Sequence, residues 1–256
     1  MTKAILSLKN VVVKVNQNQS DETEILKSLN LDIHAGDFIT LLGSNGAGKS
    51  TIFNAIAATI AIDAGQILHN GRDITKDSPE KRTQFLSRVF QDPKMGTSPR
   101  MTVAENLLLA AKRGEKRGLR SRHLRAHMAA FQKITAGMNN NLDQRLNTAT
   151  ENLSGGQRQA LSFLMATYKR PDILLLDEHT AALDPKTGQA LMAATAARVA
   201  EDHLTCLMIT HHMEDALKYG NRLIVIKDGR VAHDFNHEEK SQLTKEKLLS
   251  FFDLTE

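Results

Sequence analysis

The chain has 256 residues, 41% hydrophobic and 24% charged, which is enough length to bury a core and a composition that excludes an intrinsically disordered chain. Its net charge of +4 is mild, and no apolar run approaches the ~20 residues of a membrane helix, the best, 55–62, being interrupted by Thr59, so the chain is not expected to cross a bilayer by itself. The N-terminal MTKAILSLKN lacks the apolar core of a secretory signal and the single Cys206 has no disulfide partner; both features point to the cytoplasm.

In chain order, the apolar stretch at 5–15 reads as a strand, and DFITLLG at 37–43 reads as a buried one running into a Gly-rich turn. QILHNGRDI at 66–74 carries the Asn70-Gly71 pair of a tight hairpin. From about 92 to 169 the strand signals disappear. There Thr102 and Glu105 make a capping-box pattern before the helical VAENLLLAAKR, and more helical pattern follows from Arg122. Strands resume at DILLLD (172–177), at 205–210 and at 222–232, the last with an Asp228-Gly229 turn. Strands alternating with helices around an all-helical stretch predict an α/β core with a helical insertion.

The Gly-rich turn is GSNGAGKST, comprising Gly43, Ser44, Asn45, Gly46, Ala47, Gly48, Lys49, Ser50 and Thr51. It fits G-x-x-x-x-G-K-[ST], the phosphate-binding P-loop. Gly46 and Gly48 free the backbone to curl its N–H groups toward phosphate oxygens, Lys49 brings a charge to the terminal phosphates, and the Ser50 hydroxyl suits Mg²⁺. A chance match in a chain of this length is on the order of 1 in 100, and the strand before and helix after lower that further. A nucleoside triphosphate, with Mg²⁺, is the ligand such a loop implies.

Asp177 and Glu178 close the apolar segment ILLLDE. A carboxylate at the mouth of a buried strand is costly unless it meets a cation or a reacting group. Asp177 fits the acid that holds Mg²⁺ opposite a P-loop. Glu178 is then open to accept a proton from, or orient, the water that attacks the γ-phosphate. A different charge feature lies at 112–125, KRGEKRGLRSRHLR, with seven Lys or Arg against one Glu. It reads as a solvated helix face, as a surface for anionic lipid headgroups, or as a nucleic-acid contact. Only 4% of residues are aromatic and Trp is absent, so stacking platforms are lacking and nucleic acid is not expected as a partner.

The third motif is LSGGQRQALSFLMA at 153–166, where Ser154 is a good N-cap and two glycines open an apolar-periodic helix. Together with the P-loop, Asp177-Glu178, Gln91 in RVFQDP and His211 in MITHH, it resembles the ATP-binding cassette (ABC) family along nearly the whole chain. The resemblance implies one cassette over residues 1–256: a P-loop NTPase core, about 1–91 and 170–256, with an antiparallel β subdomain, and an inserted helical subdomain, about 92–169. It implies ATP and Mg²⁺ as ligands. Two copies would close head to tail, with Ser154, Gly155, Gly156 and Gln157 of one over the γ-phosphate held by residues 43–51 of the other. Gln91 would help ligate Mg²⁺ beside Ser50 and Asp177 and sense a transmembrane partner. His211 would contact the γ-phosphate, and Asp184 in AALD would link the two sites. His211 and His212 are not expected to form a zinc site.

Two positions depart from the family pattern. Relatives place an aromatic residue near the end of the first strand to stack on adenine, but NVVVKVNQ offers only aliphatics, with Val15 best placed; this leaves the base contact open. His179 stands where many relatives have Pro. As for the class of function, residues 52–152, between the P-loop and LSGGQ, are too few for the coiled-coil excursion of a DNA-repair cassette, and there is no Cys cluster. RVFQDPKMGTSPRMTVAENL and ILLLDEHTAALDPKTG resemble a bacterial subgroup paired with a permease distantly like those of branched-chain amino-acid importers and with a substrate-binding lipoprotein, some associated with aromatic amino acids. An importer ATPase on the cytoplasmic face of the membrane is the expectation; a cytosolic scaffold ATPase, as in iron-sulfur assembly, is the alternative.

Overall fold

The computed structural model describes residues 3–16, 22–115 and 123–251. The chain divides into two compact units, Met1–Arg82 with Leu204–Glu256, and Thr83–His203. The first begins with β1 (Ala4–Val15), β2 (Thr23–His34), β3 (Phe38–Leu42), α1 (Lys49–Ile56), β4 (Ala64–His69), β5 (Arg72–Asp73) and the short α2 (Pro79–Arg82). Strands β2-β1-β4-β5 form an antiparallel sheet. Asn70 and Gly71, both at positive φ, make the predicted hairpin turn. The sequence reading does not include β2, and its bulge explains why. Buried Leu29, Leu31 and Ile33 alternate properly, but Ser28 adopts φ 53 and shifts the register against β1, so Leu26 stands three residues from Leu29. That spacing is helical rather than strand-like.

The second unit holds β6 (Leu86–Val89), α3 (Val103–Ala111), α4 (Leu124–Ala136), α5 (Gly155–Thr167), β7 (Ile173–Asp177) and α6 (Pro185–Glu201). β6 and β7 pair in parallel, Val89 opposite Leu176. The three helices α3, α4 and α5 bury Leu107, Phe131 and Leu161 in one cluster. Thr102 and Glu105 make the predicted capping box on α3. At the far end of that helix Arg113, lowered in pKa by burial, donates to Ser87 and, at 2.6 Å, to the Lys169 carbonyl.

The chain then returns to the first unit as β8 (Cys206–Ile209), α7 (Met213–Lys218), β9 (Arg222–Lys227), β10 (Arg230–Phe235), α8 (His237–Ser241) and α9 (Lys245–Ser250). β3 lies between β8 and β9, parallel to both, and every residue of β3 is buried. Cys206 sits there in an apolar strand whose burial raises its thiol pKa. β10 adds an antiparallel edge through the Asp228-Gly229 turn. Arg82 is 1% exposed and donates at 2.7 Å to the carbonyls of Ala55 and Ile56, which closes the C-terminal end of α1. Among the described residues no helix is long and apolar enough to cross a membrane.

Candidate nucleotide site

Residues 43–51 leave the end of β3 and enter α1. Gly46 and Gly48 stand at φ 81 and 103, where L side chains are strained, and Gly48 is the N-cap of α1 with no side-chain cap. The N-terminus of α1 thus carries no side-chain cap, and a helix start of this kind, with its positive dipole end, favours an anion. A Cβ on Gly43 would stand 2.6 Å from the Ile226 carbonyl, and one on Gly48 would stand 2.9 Å from a Leu26 methyl. The bulged strand β2 thus braces the loop from behind. Lys49 is 6% exposed, and its Nζ donates to the carbonyls of Gly43 at 2.7 Å and Ser44 at 2.9 Å. The ammonium is consequently held inside the ring of loop backbone, while Ser44, Asn45, Gly46 and Ser50 are exposed. His211 belongs to the same unit. It follows β8, which runs beside β3 with Ile209 opposite Leu41, so the P-loop and His211 emerge from the same ends of adjacent parallel strands. That is where open α/β sheets place their ligands.

In the second unit β7 runs through four residues at 0% exposure and ends on Asp177, which is partly exposed, as is Glu178. Asp177 Oδ2 accepts from Arg88 Nη2 at 2.5 Å. Glu178 turns out of the strand at φ 43, a sparsely populated conformation for a non-glycine residue, and accepts from Gln91 Nε2 at 3.2 Å. Gln91 thus reaches Glu178 from just beyond the end of β6, beside the Asp177 that closes β7. The LSGGQ motif sits at the start of α5. Ser154 caps Gln157 N, Gln157 Oε1 returns to Ser154 N, and Gln157 Nε2 donates to the Asn140 carbonyl at 3.0 Å. Ser154 and Gly155 remain exposed. At Gly156 a Cβ would stand 2.4 Å from a Thr187 methyl, so a larger residue there would push that side chain aside. Asp184 caps α6 through Thr187, whose hydroxyl and N–H hold its carboxyl below the usual range.

His179 has a definite place. It is 2% exposed, its Nε2 lies 3.2 Å from Thr195 Oγ1, and burial lowers its pKa to about 4, so it is neutral at physiological pH. It shares a pocket of about 290 Å³ with Gln91 and Gly155. Val15 ends β1 opposite Thr23 and is 41% exposed. Of the basic run, 116–122 lies outside the described residues; Lys112 pairs with Glu115 at 3.3 Å.

Two polar residues beside the acids escape the sequence reading. Arg88 lies within a buried strand, and Gln159, 1% exposed on α5, donates to the Phe90 carbonyl at 2.9 Å. Both stand inside segments quoted for other residues, Arg88 in RVFQDP and Gln159 in LSGGQRQALSFLMA, but their partners are fixed by strand register and helix packing, which spacing does not reveal. Within the second unit the amide oxygen of Gln91 and the carboxylate of Asp177 are hard oxygen donors, as is the Ser50 hydroxyl of the first unit, and donors of this type suit Mg²⁺. Among the described residues no cluster of three His, Cys, Asp or Glu offers a competing metal site.

Residues 26–181 match the family model described as ABC transporter. The chain is 42% identical over 249 residues to the tyrosine transport ATP-binding protein of Clostridioides difficile, spanning 97% of this chain and 99% of that one. It is 34% identical over 232 residues to the spermidine/putrescine import ATP-binding protein PotA of Haemophilus ducreyi, spanning 91% of this chain and 58% of that longer protein. A dimeric ATP-binding cassette solved in a post-hydrolysis state with ADP and Pi is similar in structure, with a TM-score of 0.76 at 28% identity, covering 91% of this chain and 98% of that one. A Clostridium perfringens cassette, part of the ABC transporter complex cbiONQ, has a TM-score of 0.77 at 26% identity, covering 98% and 95%. With a P-loop, an acid pair and an LSGGQ helix in place, the chain belongs to the ABC transporter family, as an ATP-binding subunit that hydrolyses ATP.

Proposed function

We propose that this chain is the nucleotide-binding subunit of an amino-acid importer whose cargo is aromatic, tyrosine or a close analogue. The observation that carries this reading is the 42% identity, along almost the whole of both chains, to a tyrosine transport ATP-binding protein. On this reading the protein is peripheral, held at the cytoplasmic face of the membrane by two permease subunits and served indirectly by a substrate-binding lipoprotein.

The site residues divide the chemistry as follows. The N–H groups of residues 43–51 and the Lys49 ammonium bind the phosphates, and backbone pre-set at Gly46 and Gly48 needs no rearrangement to do so. Ser50, Gln91 and Asp177 would hold Mg²⁺, which supplies charge neutralisation to the phosphate oxygens. Glu178, turned toward Gln91, orients the attacking water and draws on its proton, and His211 contacts the γ-phosphate. Ser154, Gly155, Gly156 and Gln157 complete the site of a second copy, for which the exposed, capped start of α5 is suited. The similar cassette solved as a dimer with ADP and Pi supports that arrangement.

The test is purification of the tagged chain from its native membrane, followed by reconstitution of what accompanies it. The expected result is a permease with ATP-dependent uptake of labelled tyrosine or another aromatic amino acid. Recovery with cytosolic assembly proteins and no permease would replace the importer reading with that of a scaffold ATPase.

A further inference from the structure

The roles above leave Arg88 unused. It stands on β6 opposite Leu175 of β7, and Leu175 and Asp177 share one face of their strand, so the long Arg88 side chain runs along that face to the acid at the strand end. Nη2 lies 2.5 Å from Asp177 Oδ2, with the two side chains only 12% and 14% exposed. The guanidinium carbon is 4.9 Å from the centre of the Phe90 ring, and the Phe90 carbonyl is itself held by buried Gln159. Arg88 is thereby steadied by a ring and aimed at a carboxylate, two contacts that suit a planar guanidinium better than an ammonium.

We propose that Arg88 is a resident counter-ion of Asp177 that must yield or share Oδ2 when a divalent cation is taken up, and so sets the Mg²⁺ concentration the nucleotide site requires. This rests on the reading of Asp177 as a metal-holding acid. A fixed positive charge on that carboxylate opposes a second cation there, and an ion pair already made has to be exchanged for the new one. Both effects raise the cation requirement. In the cation-free state the same pair spares a mostly buried carboxylate the cost of standing alone. An Arg88 that served only to hold β6 against β7 would alter stability and leave the cation requirement unchanged.

The experiment measures binding rather than turnover, using the full chain and a fluorescent ADP analogue titrated with Mg²⁺. Arg88→Met removes the charge and keeps much of the length; Arg88→Lys keeps the charge; Arg88→Gln replaces the Met variant if that one does not fold. The Mg²⁺ concentration giving half the gain in nucleotide affinity is expected to fall about tenfold in Arg88→Met, equivalent to about 1.4 kcal/mol. It should stay near the wild-type value in Arg88→Lys, and affinity in EDTA should be the same in all. An unchanged or higher Mg²⁺ requirement in a folded Arg88→Met or Arg88→Gln overturns the proposal while leaving Asp177 its role. A Mg²⁺ dependence that survives intact in Asp177→Asn removes the metal-holding reading and the proposal together.

Discussion

Residues 43–51 and residues 177–178 each lie at the end of a buried strand paired in parallel, β3 in the first unit and β7, beside β6, in the second, yet they are built differently. The P-loop works through backbone: glycines at φ 81 and 103 set its curl, and Lys49 is fixed by two loop carbonyls. The acids work through side chains borrowed from elsewhere, Arg88 for Asp177 and Gln91 for Glu178, across sequence separations of 89 and 87 residues. A backbone device writes itself into consecutive residues, because each glycine is demanded by local geometry. A device made of partners across strands does not.

The sharpest way to test the contrast is within the loop itself. Lys49→Ala leaves the backbone cradle but removes its one interior charge, and ATPase activity should fall on the order of 1000-fold, whereas Asn45→Ala, at an exposed position, should leave turnover unchanged in the same steady-state assay. Comparable losses from both would mean that the loop is as side-chain dependent as the acid site.

The second unit should show its dependence on side chains in its response to acid. His179 has a pKa near 4 when folded, against 6.5 in the open chain, because burial disfavours the imidazolium. The unfolded chain therefore binds the extra proton between these values. Stability from this residue is complete above pH 6.5 and drains away as the pH falls toward 4, by up to about 3 kcal/mol. Chemical denaturation of wild type and His179→Gln across that window measures it: the difference between the two should shrink as the pH drops. A difference independent of pH would mean that His179 is not buried neutral.

A smaller effect is expected at the LSGGQ helix, where Ser154 and Gln157 cap each other. Ser154→Ala should lower stability by about 1 kcal/mol, read as a shift in denaturant midpoint. The smallest concerns Val15. An aromatic ring stacked on adenine contributes ~0.5–1.5 kcal/mol, so Val15→Tyr should lower the KM for ATP about two- to twelve-fold with kcat unchanged. Wild type should likewise hydrolyse GTP nearly as well as ATP. A strong preference for ATP that the substitution leaves undisturbed would mean that another group holds the base.

Much of the first unit is legible in its sequence where period and turn chemistry agree. The Asn70-Gly71 and Asp228-Gly229 turns, the buried β3 and the P-loop all announce themselves. β2 does not, since one positive-φ residue, Ser28, breaks its alternation, although this strand supplies the Leu26 that packs behind Gly48. In the second unit the capping box of α3 and the acid pair can be read directly. Arg88, Gln159 and the buried state of His179 cannot, because burial is a property of what packs around a residue. His179 looks like an ordinary polar residue after Glu178 until α6 brings Thr195 to its ring.

The most direct measurement concerns Glu178, whose φ of 43 and contact with Gln91 set it apart from the strand that carries it. Glu178→Gln keeps size and shape and removes the charge that orients water. Size-exclusion chromatography with ATP and Mg²⁺, beside a phosphate-release assay, should show the variant eluting as a stable dimer with bound, unhydrolysed ATP and turnover lowered on the order of 100- to 1000-fold. A variant that stays monomeric with ATP and hydrolyses it at the wild-type rate would contradict both the catalytic role of Glu178 and the head-to-tail closure of two copies.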